Sequence, residues 1–212
     1  MIKRRARTTE DKQKKGDRIL QAAKELFFDH GYYGTTIEMI TAKAGVSTGT
    51  LYLYFKNKIE IYKALQDEGL DILLDIFEDV ISRPGISAKE KLTELAHTYL
   101  GYYREYREYF DIIAILGATP NELKETDTEL SKIINTKAYN VLKKIEGVMM
   151  EGVRREEFVL MDTWKATSVF WGLMDGLVLL DERENIENVI GFGLDDLLKQ
   201  ALEMSFYGII KK

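Results

Sequence analysis

Cysteine is absent from all 212 residues, which excludes disulfides, thiolate nucleophiles and cysteine-ligated metals together. Proline is nearly as scarce, at two positions, Pro84 and Pro120, so little interrupts a helical chain. No run of about 18 apolar residues occurs, and no segment reads as a membrane span. The N-terminus is basic and polar with no apolar stretch behind it, so no secretory leader is expected. These absences together predict a cytoplasmic protein. Histidine stops at two residues, His30 and His97, too isolated to form an HxxxH or HExxH pair. His30 lies beside a helix stop, where a C-terminal cap is its natural role. No GxSxG or Walker-type loop is present. Glu156-Glu157 and Asp195-Asp196 are adjacent pairs, which on a helix point to different faces. The expectation is no enzyme, no cofactor and no metal.

What is present is apolar residues recurring every three to four positions, nearly throughout, with no alternating strand pattern between turn signals. The fold class read from this is all-α. The net charge of −5 conceals an asymmetry: residues 1–63 carry 13 Lys or Arg against 7 Asp or Glu, and the remainder is strongly acidic. A basic head on an acidic body predicts that the head meets a polyanion. A solvated basic tail at Lys3-Arg4-Arg5 would explain part of the same imbalance.

Three regions follow. Residues 1–16 read as a basic flexible arm, able to neutralise phosphates or enter a minor groove. Residues 17–63 read as a small helical head, and residues 64–212 as a larger helical body. In the head, Asp17 caps a first helix reaching His30, with Ile19, Ala22, Ala23, Leu26 and Phe27 as its apolar stripe. Gly31 and Gly34 stop it. Thr35-Thr36-Ile37-Glu38 reads as a capping box opening a short second helix that ends at Lys43-Ala44-Gly45. Ser47 caps a third helix through Phe55, and Asn57-Lys58-Ile59-Glu60 opens a fourth. Two short helices joined by a tight glycine turn have the helix-turn-helix shape.

The third helix has the chemistry of a groove reader. Ser47, Thr48, Gly49 and Thr50 make a small polar front, with backbone N–H groups at a positive helix end. Tyr52 and Tyr54 supply rings for thymine methyls and hydroxyls for phosphate, and Lys56 and Lys58 are placed to grip the backbone. A plain helical bundle with Tyr52 and Tyr54 as core aromatics is the competing reading.

Gly34-Thr35-Thr36-Ile37 followed by Ala44-Gly45-Val46-Ser47-Thr48-Gly49-Thr50-Leu51-Tyr52-Leu53-Tyr54-Phe55-Lys56-Asn57-Lys58 resembles the signature of the tetracycline-repressor (TetR) family. The resemblance covers residues 17–63. It implies a homodimer on double-stranded DNA at a palindromic operator, repressing until a small-molecule effector loosens its grip. By position it implies phosphate contact at Thr36, base contact at Thr48, Gly49 and Thr50, and backbone or methyl contact at Tyr52, Tyr54 and Lys58. Position 54 is often histidine in the family and is tyrosine here. Neither arginine nor an amide side chain lies between Ser47 and Tyr54, so bidentate reading of guanine or adenine from this helix is unavailable. Specificity is therefore expected to lean on methyl contacts, backbone amides, Lys56, the arm and DNA shape.

In the body, Ser87-Ala88-Lys89-Glu90 reads as a capping box, Gly117–Pro120 as a break before a cap at Asn121, and Asp162 as a further cap. Tyr99, Tyr102, Tyr103, Tyr106, Phe110, Met149, Met150 and Trp171 are candidates to line an effector cavity that would favour a flat or lipophilic molecule. Ordinary core packing is the alternative for each. The last two helices, about 162–184 and 194–211, are too apolar to cover one another alone and are expected to form the dimer, with Gly172 and Gly176 permitting close approach. An activator, or a DNA binder without an effector, remains a third reading. The expected mechanism is a population shift: effector binding in the body moves the long fourth helix and changes the spacing of the two heads.

Overall fold

Helix propensity decides more of this chain than any other local preference. The structure, a computed structural model, describes residues 2–113, 129–183 and 186–210, with side chains described from Gln13 onward except at 186–187. Ten helices lie among the described residues, and no named strand does. A lone antiparallel bridge joins Phe158 to Ile210. The expected break at Gly117–Pro120 and the cap at Asn121 lie outside the described residues.

The chain divides into two compact units, residues 1–70 with 106–135 and residues 71–105 with 136–212. The first holds α1 (Ile2–Gly34), α2 (Ile37–Ala44), α3 (Thr48–Leu51), the first part of α4 (Lys58–Ile81) and α6 (Arg107–Ile113). The second holds the rest of α4, α5 (Ala88–Glu105), most of α7 (Glu129–Arg154), α8 (Thr163–Asp181), α9 (Ile186–Ile190) and α10 (Leu194–Ile209).

Two expectations about α1 change. The helix begins at Ile2, so residues expected as an irregular arm are helical. Lys, Arg, Glu, Gln and Ala dominate that stretch, and all are good helix formers. The helix does break at Gly31, with φ 67° and ψ 173°, as a positive-φ stop requires. Gly34 has no positive φ.

The first unit's core packs Ile19, Ala23, Leu26 and Phe27 of α1 against Ile40 and Ala44 of α2 and Leu51 of α3. Phe27, Tyr32 and Tyr62 close it as a ring trio: Phe27 and Tyr32 stack, and Tyr62 meets both edge-on at 5.3 and 5.2 Å. Helix α6 packs on α1. Tyr62 Oη and Gln66 Nε2 both donate to the Ile112 carbonyl, at 3.2 and 3.1 Å. Of the residues that tie α6 into the head's unit, Gln66 and Ile112 lie beyond the head's expected limit of 63, and Tyr62 lies just inside it.

In the second unit, α5 and α10 pack on α8. Buried Tyr99, Leu95 and Leu92 of α5, Met174 and Val178 of α8, and Leu198 and Leu202 of α10 form its centre. The Ser87–Glu90 capping box is present, with Glu90 N donating to Ser87 Oγ at 3.1 Å and Ser87 N to Glu90 Oε2 at 2.7 Å. Asp162 caps α8 through Lys165 N at 3.0 Å.

Candidate nucleic-acid interface

The polar front of the head is built from local caps. Helix α2 is capped by Thr36, whose hydroxyl accepts from Met39 N at 3.2 Å, one residue later than the expected capping box. Thr35 is instead fully buried, and its hydroxyl is 2.9 Å from both the Leu26 and Gly31 carbonyls. A buried hydroxyl needs a partner, and the carbonyls at the end of α1 need donors, so each satisfies the other. Thr36 is left exposed at the start of α2.

Gly45 ends α2 in the left-handed region, φ 63°, with its N–H turned to the Ala42 and Thr41 carbonyls. The Arg18 guanidinium reaches from α1 to the Ala44 carbonyl. A cation on the last carbonyls of a helix offsets both the orphan acceptors and the negative end of the dipole. Lys43 pairs with Glu25 at 2.7 Å on the same seam.

Ser47 then caps α3, its Oγ accepting from Thr50 N at 3.1 Å and lying 2.8 Å from Thr50 Oγ1. Helix α3 is one turn, not the nine residues expected. Tyr52 N still bonds the Thr48 carbonyl, but Leu53 N bonds Thr50 and Tyr54 N bonds Leu51, a tighter i to i+3 pattern. One turn of aligned peptides carries little macrodipole, so the positive helix end expected at Ser47 is a weak one.

Ser47, Thr48, Gly49 and Tyr52 are exposed together, and Thr50 is half-buried. Leu51 is fully buried and Phe55 half-buried toward the core. Tyr54 is half-buried: a Cβ built on Gly16 would lie 3.4 Å from its ring. Lys56 is exposed and opens the approach to α4. Lys58 differs most from its sequence reading. Its ammonium donates to the Tyr32 carbonyl at 2.7 Å and the Thr35 carbonyl at 2.9 Å, and lies 4.2 Å over the Tyr32 ring. It braces the α1–α2 turn from within.

Two contributors escaped sequence reading: Arg18, and Leu53, which is 76% exposed beside Tyr52. No local signal marks Arg18, since its partner lies 26 residues away. Leu53 follows a core leucine by two places, and its outward position depends on α3 ending after one turn.

The effector candidates separate. Tyr106 and Phe110 belong to the first unit, and the others to the second. Tyr99 and Tyr103 on α5 send their hydroxyls to Asp175 and Asp181 on α8, the second at 3.1 Å, and Tyr99 lies 4.8 Å centroid to centroid from Trp171. Burial and the Asp175 charge push the Tyr99 hydroxyl well up, and burial lifts the Asp175 carboxyl although the Tyr99 bond opposes it. Tyr102 and Met149 are core, whereas Met150 is 56% exposed and lines no interior. A groove of about 780 Å³ opens along α5 and α10, floored by Leu202, Phe206 and Ile210 and edged by Lys89, His97 and Lys199. None of the candidates lines it.

Comparison with known proteins places the head. The family model described as bacterial regulatory proteins, tetR family, matches residues 19–65. The fatty acid metabolism regulator protein of Bacillus subtilis is 29% identical over 172 residues, covering 79% of this chain and 83% of that protein. The solved structure of the transcriptional regulator FadR from Bacillus subtilis, in complex with stearoyl-CoA, is 27% identical with a TM-score of 0.69, covering 90% of this chain and 97% of that one. Over the head alone, the HTH-type transcriptional regulator TtgR of Pseudomonas putida is 39% identical across 61 residues, 29% of each chain. With a helix-turn-helix whose small polar front is exposed, a basic head and regulators as its relatives, the chain carries a tetR-family head over residues 19–65 and is a DNA-binding transcriptional regulator.

Proposed function

We propose that the protein is a homodimeric repressor that holds a palindromic operator and is released by an acyl-CoA thioester. The observation that carries the DNA side is the exposed run Ser47, Thr48, Gly49 and Tyr52, presented by a one-turn helix anchored through buried Leu51. Thr36 and Lys56 supply phosphate contacts at its flanks, while Thr50 and Tyr54 contribute from half-buried positions. The effector class follows from the stearoyl-CoA bound to the Bacillus subtilis relative and from the lipophilic character of Tyr99, Tyr102, Tyr103, Met149 and Trp171 in the body. A long acyl chain suits such apolar surroundings, and the Tyr99 and Tyr103 hydroxyls, held by Asp175 and Asp181, offer polar groups to orient it.

Dimerisation through α8 and α10 is supported by α8, which is apolar on two sides. Phe170, Met174 and Val178 face the core, while Val169 is 72% exposed, Leu179 is half exposed, and a Cβ at Gly172 or Gly176 would meet nothing within 4 Å. A face of that kind, with room for close approach, fits an isologous partner. Helix α4 is uninterrupted from Lys58 to Ile81, with residues to 70 in the head's unit and the rest in the other, which suits it to carry a shift between them.

The test is fluorescence anisotropy on a duplex from upstream of the protein's own gene, beside a scrambled duplex. The expected result is tight, salt-sensitive binding to the native duplex, lost on adding stearoyl-CoA and kept on adding free CoA. Binding that ignores stearoyl-CoA overturns the effector assignment, and equal weak binding to both duplexes overturns the operator reading.

A further inference from the structure

The turn that follows α3 presents one large aliphatic side chain outward. Leu51 is fully buried and Leu53, two residues on and so roughly opposite on the turn, is 76% exposed. Four residues before it stands Gly49, where an added Cβ would find only Ser47 Oγ, at 4.0 Å. The remaining exposed side chains of this front are short hydroxyls, Ser47 and Thr48, and the Tyr52 ring. A single exposed leucine needs no explanation on an ordinary surface. Here it stands beside an open glycine on the one face that carries neither an arginine nor an amide side chain, and the Ser47 and Thr50 hydroxyls of that face are already occupied with each other.

We infer that Leu53 is a specificity-determining residue that reads a thymine through its C5-methyl group, with Gly49 supplying the space for the base pair to approach. The inference rests on the DNA-binding reading above and sharpens it. The one methyl in the major groove is thymine's, and cytosine carries only a C–H at the same position, beside its N4 donor. A leucine seated there gains methyl contact with thymine; on cytosine it loses that contact and crowds the N4 donor without pairing it, so the same side chain favours thymine over cytosine. Selectivity then comes from burial on one base and from penalty on the others, without a bidentate bond.

The experiment begins by selecting duplexes from a random library with the full-length protein, and then scans the enriched sequence with deoxyuridine in place of each thymine. Deoxyuridine keeps every hydrogen-bonding group and removes one methyl. At one thymine per half-site the wild type should lose about fourfold in affinity for each methyl removed. Leu53→Ala should lose about tenfold on the thymine duplex and nothing further on the deoxyuridine duplex. Leu53 is exposed, so thermal melting of Leu53→Ala should match the wild type, and Leu53→Asn should move the preferred base at that position from thymine to adenine. Equal sensitivity of wild type and Leu53→Ala to the methyl, or full affinity of Leu53→Ala on thymine DNA, overturns the inference while leaving sequence-specific binding intact. Failure of the library to enrich at all overturns the DNA-reading function itself, and the inference with it.

Discussion

At Gly45 two constraints meet. Its φ is 63°, and an added Cβ would lie 2.9 Å from the Arg18 guanidinium nitrogen that serves the Ala44 carbonyl. Gly45→Ala is therefore expected to cost more than the ~1 kcal/mol of an ordinary positive-φ site, because it also displaces the Arg18 cap. Urea denaturation followed by circular dichroism would measure this, and an unchanged midpoint would show that the guanidinium moves aside freely. Asp175 gives a pH-dependent counterpart. Burial holds its carboxyl above the usual value of 3.8, with the Tyr99 hydrogen bond opposing. The folded state thus binds this proton more tightly than the unfolded chain. The resulting stabilisation is full below pH 3.8 and is lost as pH rises through the raised folded-state value. Asp175→Asn keeps an acceptor for Tyr99 and removes the titration. The stability difference, wild type minus variant, should fall with rising pH across that window and then level off. A flat difference would show that the carboxyl titrates normally.

Among elements, helix ends were legible wherever the capping partner was a near neighbour. Ser47 with Thr50, Ser87 with Glu90 and Asp162 with Lys165 are contacts between residues three apart, so the side chain and the turn it caps appear together in the sequence. The same reasoning misplaced two caps: Asp17 lies inside α1, and Thr35 was chosen over Thr36 because Thr35's true partners lie back in α1. What stayed hidden was long in sequence: Arg18 to Ala44 and Lys58 to Tyr32, each 26 residues apart, and Tyr62 to Ile112, 50 apart. Lysine carries the same charge whether it faces phosphate or two carbonyls, and only the tertiary path of the α1–α2 turn chooses. The short extent of α3 was also out of reach, since Tyr52, Leu53 and Tyr54 tolerate an α or a tighter turn equally. Helix α6 offers the matching test. Removing both donors to the Ile112 carbonyl, as Tyr62→Phe with Gln66→Leu, should loosen its C-terminal end and lower amide exchange protection across 107–113 about tenfold. Unchanged protection would place the hold on α6 in apolar packing alone.

For the molecule as a whole, the head and body carry opposite charge, with 13 basic against 7 acidic residues through position 63 and a net of −5 overall. DNA affinity, read by fluorescence anisotropy, should accordingly fall steeply with salt. The proposed dimer makes its own demand. Val169→Glu places a charge in the exposed apolar face of α8 and should convert a dimer to a monomer in sedimentation velocity, with operator binding falling at least 100-fold through loss of the second head. A dimer that survives this substitution would move the interface elsewhere.

A helix that is apolar on both faces also ties the protein's persistence to its own abundance. If the outer face of α8 is covered only by a second copy, unfolding releases two chains and becomes a second-order equilibrium, so the melting temperature should climb with protein concentration. A regulator is made in few copies per cell, and its dilution by growth would then thin the folded population and the operator occupancy together. A promoter held in this way would respond to a small fall in synthesis more sharply than simple mass action at the DNA site allows.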